Sequence, residues 1–187
     1  MNLHIIQHNY NSLASVFAYE QFLNQENFNQ IKKDLVQSLE EDSSLSYQTN
    51  VQGKMTSYQK ILQDKRFEFF FHLVGEVITN TLRLRLPNSI ANKPMQLEFI
   101  DSWGMKHDFG DYTKTHIHGF SRFSGSYNCI VPDQNTHMYF PDFERSLTFR
   151  ENQLIFFPGI IKHYVTEHLD NQNSRYSLAF NLKIKHE

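Results

Sequence analysis

Two histidines one residue apart, His116-Ile117-His118, are the first place where residue type and spacing suggest chemistry. On a β-strand, side chains at i and i+2 share a face and stand about 6.6 Å apart at a rise of roughly 3.3 Å per residue. Two imidazoles can then converge on one cation. Metal–nitrogen distances near 2 Å demand that convergence, and neutral imidazole suits iron, zinc, copper or nickel. An exposed or merely hydrogen-bonded pair has the same spacing, so the pair alone does not decide. A third histidine, His163, follows 45 residues on. It comes directly after Leu154-Ile155-Phe156-Phe157-Pro158-Gly159, a strand pattern ending in a turn, which reads as a hairpin that sets His163 on a returning strand. Twelve residues later comes Arg175, sharing strand parity with Ser177. An arginine turned into a protein interior is costly unless it meets an anion. A salt bridge to Asp or Glu would serve as well as a bound ligand.

These residues need a scaffold, and the pattern around them predicts one. Apolar residues at near-helical period predict helices over Tyr19–Leu39 (Phe22, Leu23, Ile31, Leu35, Leu39) and Arg66–Leu84 (Phe70, Leu73, Val74, Val77, Ile78, Leu82). The acidic run Glu40-Glu41-Asp42-Ser43-Ser44 ends the first as a solvated face. After Pro87 the pattern becomes short β-branched and aromatic runs between Asn, Asp, Gly and Pro turns. Strands are expected at Met95–Trp103, Tyr112–His118, Phe123–Val131, His137–Phe140, Gln153–Phe157, Lys162–Glu167 and Arg175–Lys185. So many short strands in the second half predict a barrel or jelly roll, with the helices packed on one outer face: α+β overall, mainly β at its centre. The expected organisation is one domain, 1–187, with a helical part (1–90) and a β core carrying the site (91–187).

Composition narrows the classes. The chain has 187 residues, 40% apolar and 14% aromatic, enough to fill a core without disulfide staples. A net charge of −2 argues against a broad nucleic-acid footprint. The longest run without a polar or charged side chain, Leu154–Ile161, is eight residues, far short of the roughly 20 of a membrane helix. Met1-Asn2-Leu3-His4 leads into no apolar leader. One cysteine, Cys129, against ten histidines points to a reducing, cytoplasmic setting and to nitrogen and oxygen ligands for any metal. The Asn-, Gln-, Phe- and Lys-rich composition suits an AT-rich genome such as that of a marine bacterium or its phage.

Taken together, Trp103, Gly110-Asp111-Tyr112, His116-Ile117-His118, Ser124-Gly125, Phe157-Pro158, His163 and Arg175-Tyr176-Ser177-Leu178-Ala179-Phe180-Asn181 resemble the 2OG-Fe(II) oxygenase family found in marine bacteria and cyanophages, within the Fe(II)/2-oxoglutarate-dependent superfamily. The resemblance covers Met95 to Leu182 and extends loosely to Thr49-Asn50-Val51-Gln52-Gly53. It implies a prolyl 4-hydroxylase-like double-stranded β-helix, a jelly-roll variant related to cupins. It also implies His116 and His163 as iron ligands, Arg175 as the anchor of the distal carboxylate of 2-oxoglutarate, and dioxygen as oxidant. Arginine's planar fork suits a carboxylate, and Ser177 can add a hydrogen bond. Either Tyr127 or Asn128 can face the cosubstrate, and Tyr127 is the choice made here, with core filling as its alternative role. The sequence departs from the family at His118, where the commoner triad has a carboxylate; His118 is read as the third ligand. Asp108 and Asp111 lie close in sequence but off the i+2 position.

Two other readings compete. Gly110, five intervening residues and His116-Ile117-His118 match the start of a cupin motif, but the following glutamate is replaced by Arg122 or Phe123, and Arg175 is left unexplained. A non-catalytic jelly roll would not need the three histidines to converge. His4, His8, His72, His107, His137, His168 and His186 read as surface or satisfied core residues, with His137 able to border the site if inward-facing. Trp103 reads as a core anchor. The substrate, a small molecule or a peptide side chain, has no legible code; no nucleic-acid or membrane partner is expected, and the chain is expected to be a monomer or homodimer.

Overall fold

The computed structural model describes residues 2–7, 15–42, 49–85 and 96–185. Pro87, Met95, His8, His186 and the Ser43-Ser44 end of the acidic run lie outside them. In chain order the strands are β1 (Asn2–Gln7), β2 (Ser15–Glu20), β3 (Val51–Gln52), β4 (Lys54–Met55), β5 (Gln96–His107), β6 (Tyr112–His116), β7 (Phe123–Ile130), β8 (His137–Phe140), β9 (Arg145–Thr148), β10 (Gln153–Pro158), β11 (His163–Val165) and β12 (Arg175–Lys185). The helices are α1 (Gln25–Glu41), α2 (Lys60–Gln63) and α3 (Glu68–Arg85). One sheet runs β1-β2-β10-β7-β12-β5-β4 and the other β3-β6-β11-β8-β9. Every pairing is antiparallel. This is the jelly-roll sandwich that the sequence predicts.

Helix α1 starts where Asn24 caps it, its side chain accepting from the Asn27 N–H at 2.9 Å. It buries Phe28, Ile31, Leu35 and Leu39, three or four residues apart. Helix α3 follows a tight turn capped by Asp64 and buries Phe70, Phe71, Val74, Ile78 and Leu82. Both helices close over the outer face of the larger sheet through one apolar cluster that includes Phe17, Tyr127, Phe156, Leu178 and Phe180. A second cluster, with Ile155, Phe157, Met138, Phe140 and Val165, fills the space between the sheets, and a third joins Val51, Met55, Trp103, Met105 and Ala179. The result is three layers, with the site between the two sheets.

Two expectations need correction. The N-terminal part is not purely helical, because Ser15–Glu20 is a strand paired to β1 and to β10. Its two faces meet different clusters, Phe17 under the helices and Val16 with Ala18 between the sheets, so burial on both sides removes the alternation that would mark a strand. Nor is Pro158-Gly159 the turn of a hairpin. β10 belongs to the larger sheet and β11 to the smaller, so the turn carries the chain across the sandwich. Strand β9 also went unrecognised. Among the described residues no helix is long and apolar enough to cross a membrane.

Phe70 is fully buried, and its ring lies 4.9 Å from that of Tyr127 and 6.2 Å from that of Phe22. Phe70→Ala is expected to lower the unfolding free energy by about 3–5 kcal/mol, read as a drop in the urea midpoint.

Candidate active site

His116 ends β6 and sits directly opposite His163 of β11. The strand is shorter than predicted, so His118 is positioned by the turn that follows rather than by strand parity. That turn is pinned to the crossing between sheets: the His118 N–H donates to the Gly159 carbonyl at 2.7 Å, and the Gly159 N–H donates to the Arg122 carbonyl at 3.1 Å. A Cβ at Gly159 would lie 2.5 Å from the Ser121 carbonyl oxygen and 2.6 Å from that of His118. Only glycine permits this close approach.

The three rings converge, one nitrogen from each lying within 4.8 Å of the others. His116 Nδ1 lies 2.8 Å from the Lys114 carbonyl and His163 Nδ1 3.0 Å from that of Ile161. A carbonyl can only accept, so each Nδ1 carries the proton and each Nε2 lone pair is left free. His116 Nε2 and His118 Nε2 stand 3.1 Å apart, about the spacing of two nitrogens at a right angle on one ion with bonds of about 2.1 Å. Burial holds all three histidines in the neutral form, His118 down to about 3 with His116 adding to the effect, and His163 well below the ordinary range. Three neutral imidazoles, two of them oriented by carbonyls, are a donor set that suits iron or zinc. Neither nearby aspartate joins them. Asp108 pairs with Lys54 at 3.0 Å and Lys106 at 3.5 Å, and Asp111 accepts from the Asp108 N–H at 2.8 Å.

Deeper between the sheets, in the same pocket, lie Arg175 and Ser177 of β12. Arg175 is 1% exposed. Among the described residues no carboxylate lies within ion-pair distance of it, and its Nε and Nη2 have no hydrogen-bond partner. Desolvation lowers its pKa to about 9, opposed by the more distant Asp111 and Asp133. Its guanidinium carbon sits 5.1 Å above the Phe149 ring, a partial compensation. Ser177 Oγ and His107 Nδ1, also buried, lack partners as well. With Trp103 Nε1, five buried polar atoms on residues lining this pocket have no partner among the described residues, and a buried polar group without a partner is costly.

His107 was missed by the sequence reading. It is fully buried and cross-strand partner to Arg175. Strand parity was the available signal, because Asp101, Trp103, Met105 and His107 alternate along β5. Trp103 is more than a core anchor, since it lines the pocket as well. Tyr127 needs correction. It faces the helices, its hydroxyl donating to Asn152 at 2.8 Å, because neighbours on β7 alternate and Ser126 takes the pocket side. His137 does not line the pocket; Met138 does. Cys129 is buried among apolar groups that push its thiol pKa up, away from nucleophilic use.

No protein-family model and no curated protein sequence matches the chain. Solved structures do match. The viral collagen prolyl hydroxylase from Paramecium bursaria Chlorella virus-1, in its 2OG complex, superimposes with a TM-score of 0.63 at 10% identity, over 89% of this chain and 94% of that one. A prolyl-4-hydroxylase from Pseudomonas putida gives 0.62 at 12% identity, over 91% and 93%. The fold is that of the 2-oxoglutarate-dependent oxygenases. A non-heme α-ketoglutarate-dependent epimerase of nogalamycin biosynthesis shares this oxygenase fold, with a TM-score of 0.61 at 12% identity, over 91% and 78%.

Two outcomes follow for the metal-free chain. The unfolded histidines take up protons near pH 6.5 while the folded ones stay neutral, so stability is complete above that pH and lost as pH falls toward the lower folded values. The urea midpoint should fall below pH 6.5, each histidine contributing at most about 1.4 kcal/mol per pH unit, with a shallower fall in His118→Gln. Gly159→Ala should weaken Co(II) binding about 10- to 100-fold by displacing the His118 turn, read from the visible Co(II) spectrum.

Proposed function

We propose that this chain is an Fe(II)- and 2-oxoglutarate-dependent dioxygenase that hydroxylates a C–H bond of a small-molecule or peptide substrate and releases succinate and CO2. The observation that carries the proposal is Arg175: a fully buried guanidinium without a carboxylate partner among the described residues, in one pocket with three convergent neutral imidazoles. A carboxylate ligand would meet that charge, and an α-keto acid joins a carboxylate to a metal-chelating end. The oxygenase fold supports the reading, and Arg175 distinguishes it from a cupin-type metal site that has no use for a buried cation.

Each residue then has a task. His116, His118 and His163 would hold the metal through Nε2, and Arg175 with Ser177 would fix the far carboxylate by charge-assisted hydrogen bonds. His107, beside Arg175, offers its Nδ1 to the same end. Val51, Met138, Phe149, Phe157 and Val165 line the pocket and exclude water. When bound, the iron with cosubstrate and dioxygen supplies the oxidising chemistry, and the protein contributes position and dryness. The ligand set carries no anion, so the metal sits in a more positive environment than with two histidines and a carboxylate.

Anaerobic addition of Fe(II) and 2-oxoglutarate is expected to produce the visible charge-transfer band of the chelate. Absence of the band in metal-replete protein sinks the cosubstrate assignment. Arg175→Met should abolish the band at moderate cosubstrate concentration, yet leave the ligand-free chain as stable or up to about 4 kcal/mol more stable, since it removes a buried unpaired charge. Urea unfolding with and without 2-oxoglutarate reads both effects.

A further inference from the structure

The three-histidine cluster opens outward into a second chamber, which shares Trp103, His116 and His118 with the inner pocket and adds Tyr58, Asp101, Phe120 and Asn181. Its polar side chains extend the site's own stripes: Asn181 of β12 continues Arg175, Ser177 and Ala179, and Asp101 of β5 continues His107, Met105 and Trp103, with Asn181 and Asp101 paired across the strands. Apart from the histidines, Asp101 is the one charged side chain among the described lining residues. It is 8% exposed. One donor serves it, Asn181 Nδ2, at 2.8 Å from Oδ1. The direction of that bond is fixed from behind, because Ser124 donates its hydroxyl to Asn181 Oδ1 at 2.6 Å, with Ser121 Oγ 2.9 Å away. Asn181 must therefore present its N–H₂ to Asp101, which stays an acceptor. Among the described residues nothing donates to Oδ2.

Aromatic rings line the same chamber. Tyr58 meets Trp103 edge-on at 5.0 Å, and Phe120, 67% exposed, stands at the chamber's outer side with its ring 6.4 Å from His118. A desolvated carboxylate with one open oxygen among aromatic rings recognises a cation that carries N–H donors: the carboxylate takes the hydrogen bond and the ring faces take the charge. A neutral donor would satisfy the open oxygen but leave the charge unmatched, and an anionic substrate would leave Asp101 desolvated without compensation.

We propose that the outer chamber is the substrate subsite and that Asp101 selects a substrate bearing a protonated amine, held so that a neighbouring C–H faces the three histidines. The inference rests on the oxygenase reading for the reaction performed there, though not for the recognition itself. Burial raises the Asp101 pKa, with Asn181 opposing, in keeping with a carboxylate short of partners.

Trp103 is the chain's one tryptophan, so fluorescence reports on the chamber directly. The full chain, loaded with redox-inert Zn(II), is titrated with n-pentylammonium, 1-pentanol and pentanoate. The expected result is a saturable Trp103 response with the ammonium binding at least tenfold tighter than the alcohol, pentanoate giving none, and Asp101→Asn bringing ammonium and alcohol to within about twofold. Equal affinities in the wild-type chain, no response to the ammonium, or an undiminished preference in Asp101→Asn overturns the proposal. If Asp101→Asn does not fold, the wild-type comparison decides. The Fe(II)/2-oxoglutarate band, recorded on the same proteins, separates the two readings: band present without amine preference removes this inference alone, and amine preference without the band removes the oxygenase reading alone.

Discussion

A positive charge that cannot leave the protein interior governs this site. Arg175 sits on a strand of the larger sheet, between helices and the smaller sheet, and at 1% exposure its guanidinium is held away from bulk water. Retaining an ionised group there is expensive, and the described residues set an aromatic face and two distant carboxylates against the cost. Such an arrangement makes sense as half of a pair. On the proposed reading the other half would be an anion that arrives from outside, which the unsatisfied Ser177 hydroxyl and His107 nitrogen would join.

The three imidazoles follow the opposite logic. They are kept uncharged by the dryness that makes Arg175 costly, and the Nδ1 protons of His116 and His163 are committed to backbone carbonyls. One environment thus produces a cation held for a carboxylate and lone pairs held for a metal. With no acidic residue in the triad, a bound cosubstrate would supply the negative charge within the metal's own ligand set. Metal and cosubstrate binding should therefore be more strongly coupled than in a site with its own carboxylate.

Much of this was legible in the residues because strand parity is local. Parity pairs Arg175 with Ser177, the energetic oddity of an inward arginine marks that strand, the family resemblance singles out His116 and His163, and β8 and β12 are bounded as predicted. What escaped depends on information parity lacks. Ser15–Glu20 is buried on both faces and carries no period-two signal. The turn at Pro158-Gly159 looks the same whether the chain returns to its own sheet or crosses to the other. Tyr127 was assigned inward on chemistry, yet the phase of β7 is set by the helices that cover its aromatic side, so Ser126 faces the pocket. His107 looked ordinary until its register against Arg175 was known.

The division of labour between the sheets has a mechanical side. His116, His118 and His163 all belong to the smaller sheet and its turn, whereas His107, Arg175, Ser177, Asp101 and Asn181 all project from the larger one. A metal ion alone ties the small sheet to itself. On the proposed reading, a keto acid chelated at one end and clamped by Arg175 at the other would span the interior like a strut, and the cosubstrate would also brace one wall of the sandwich against the other.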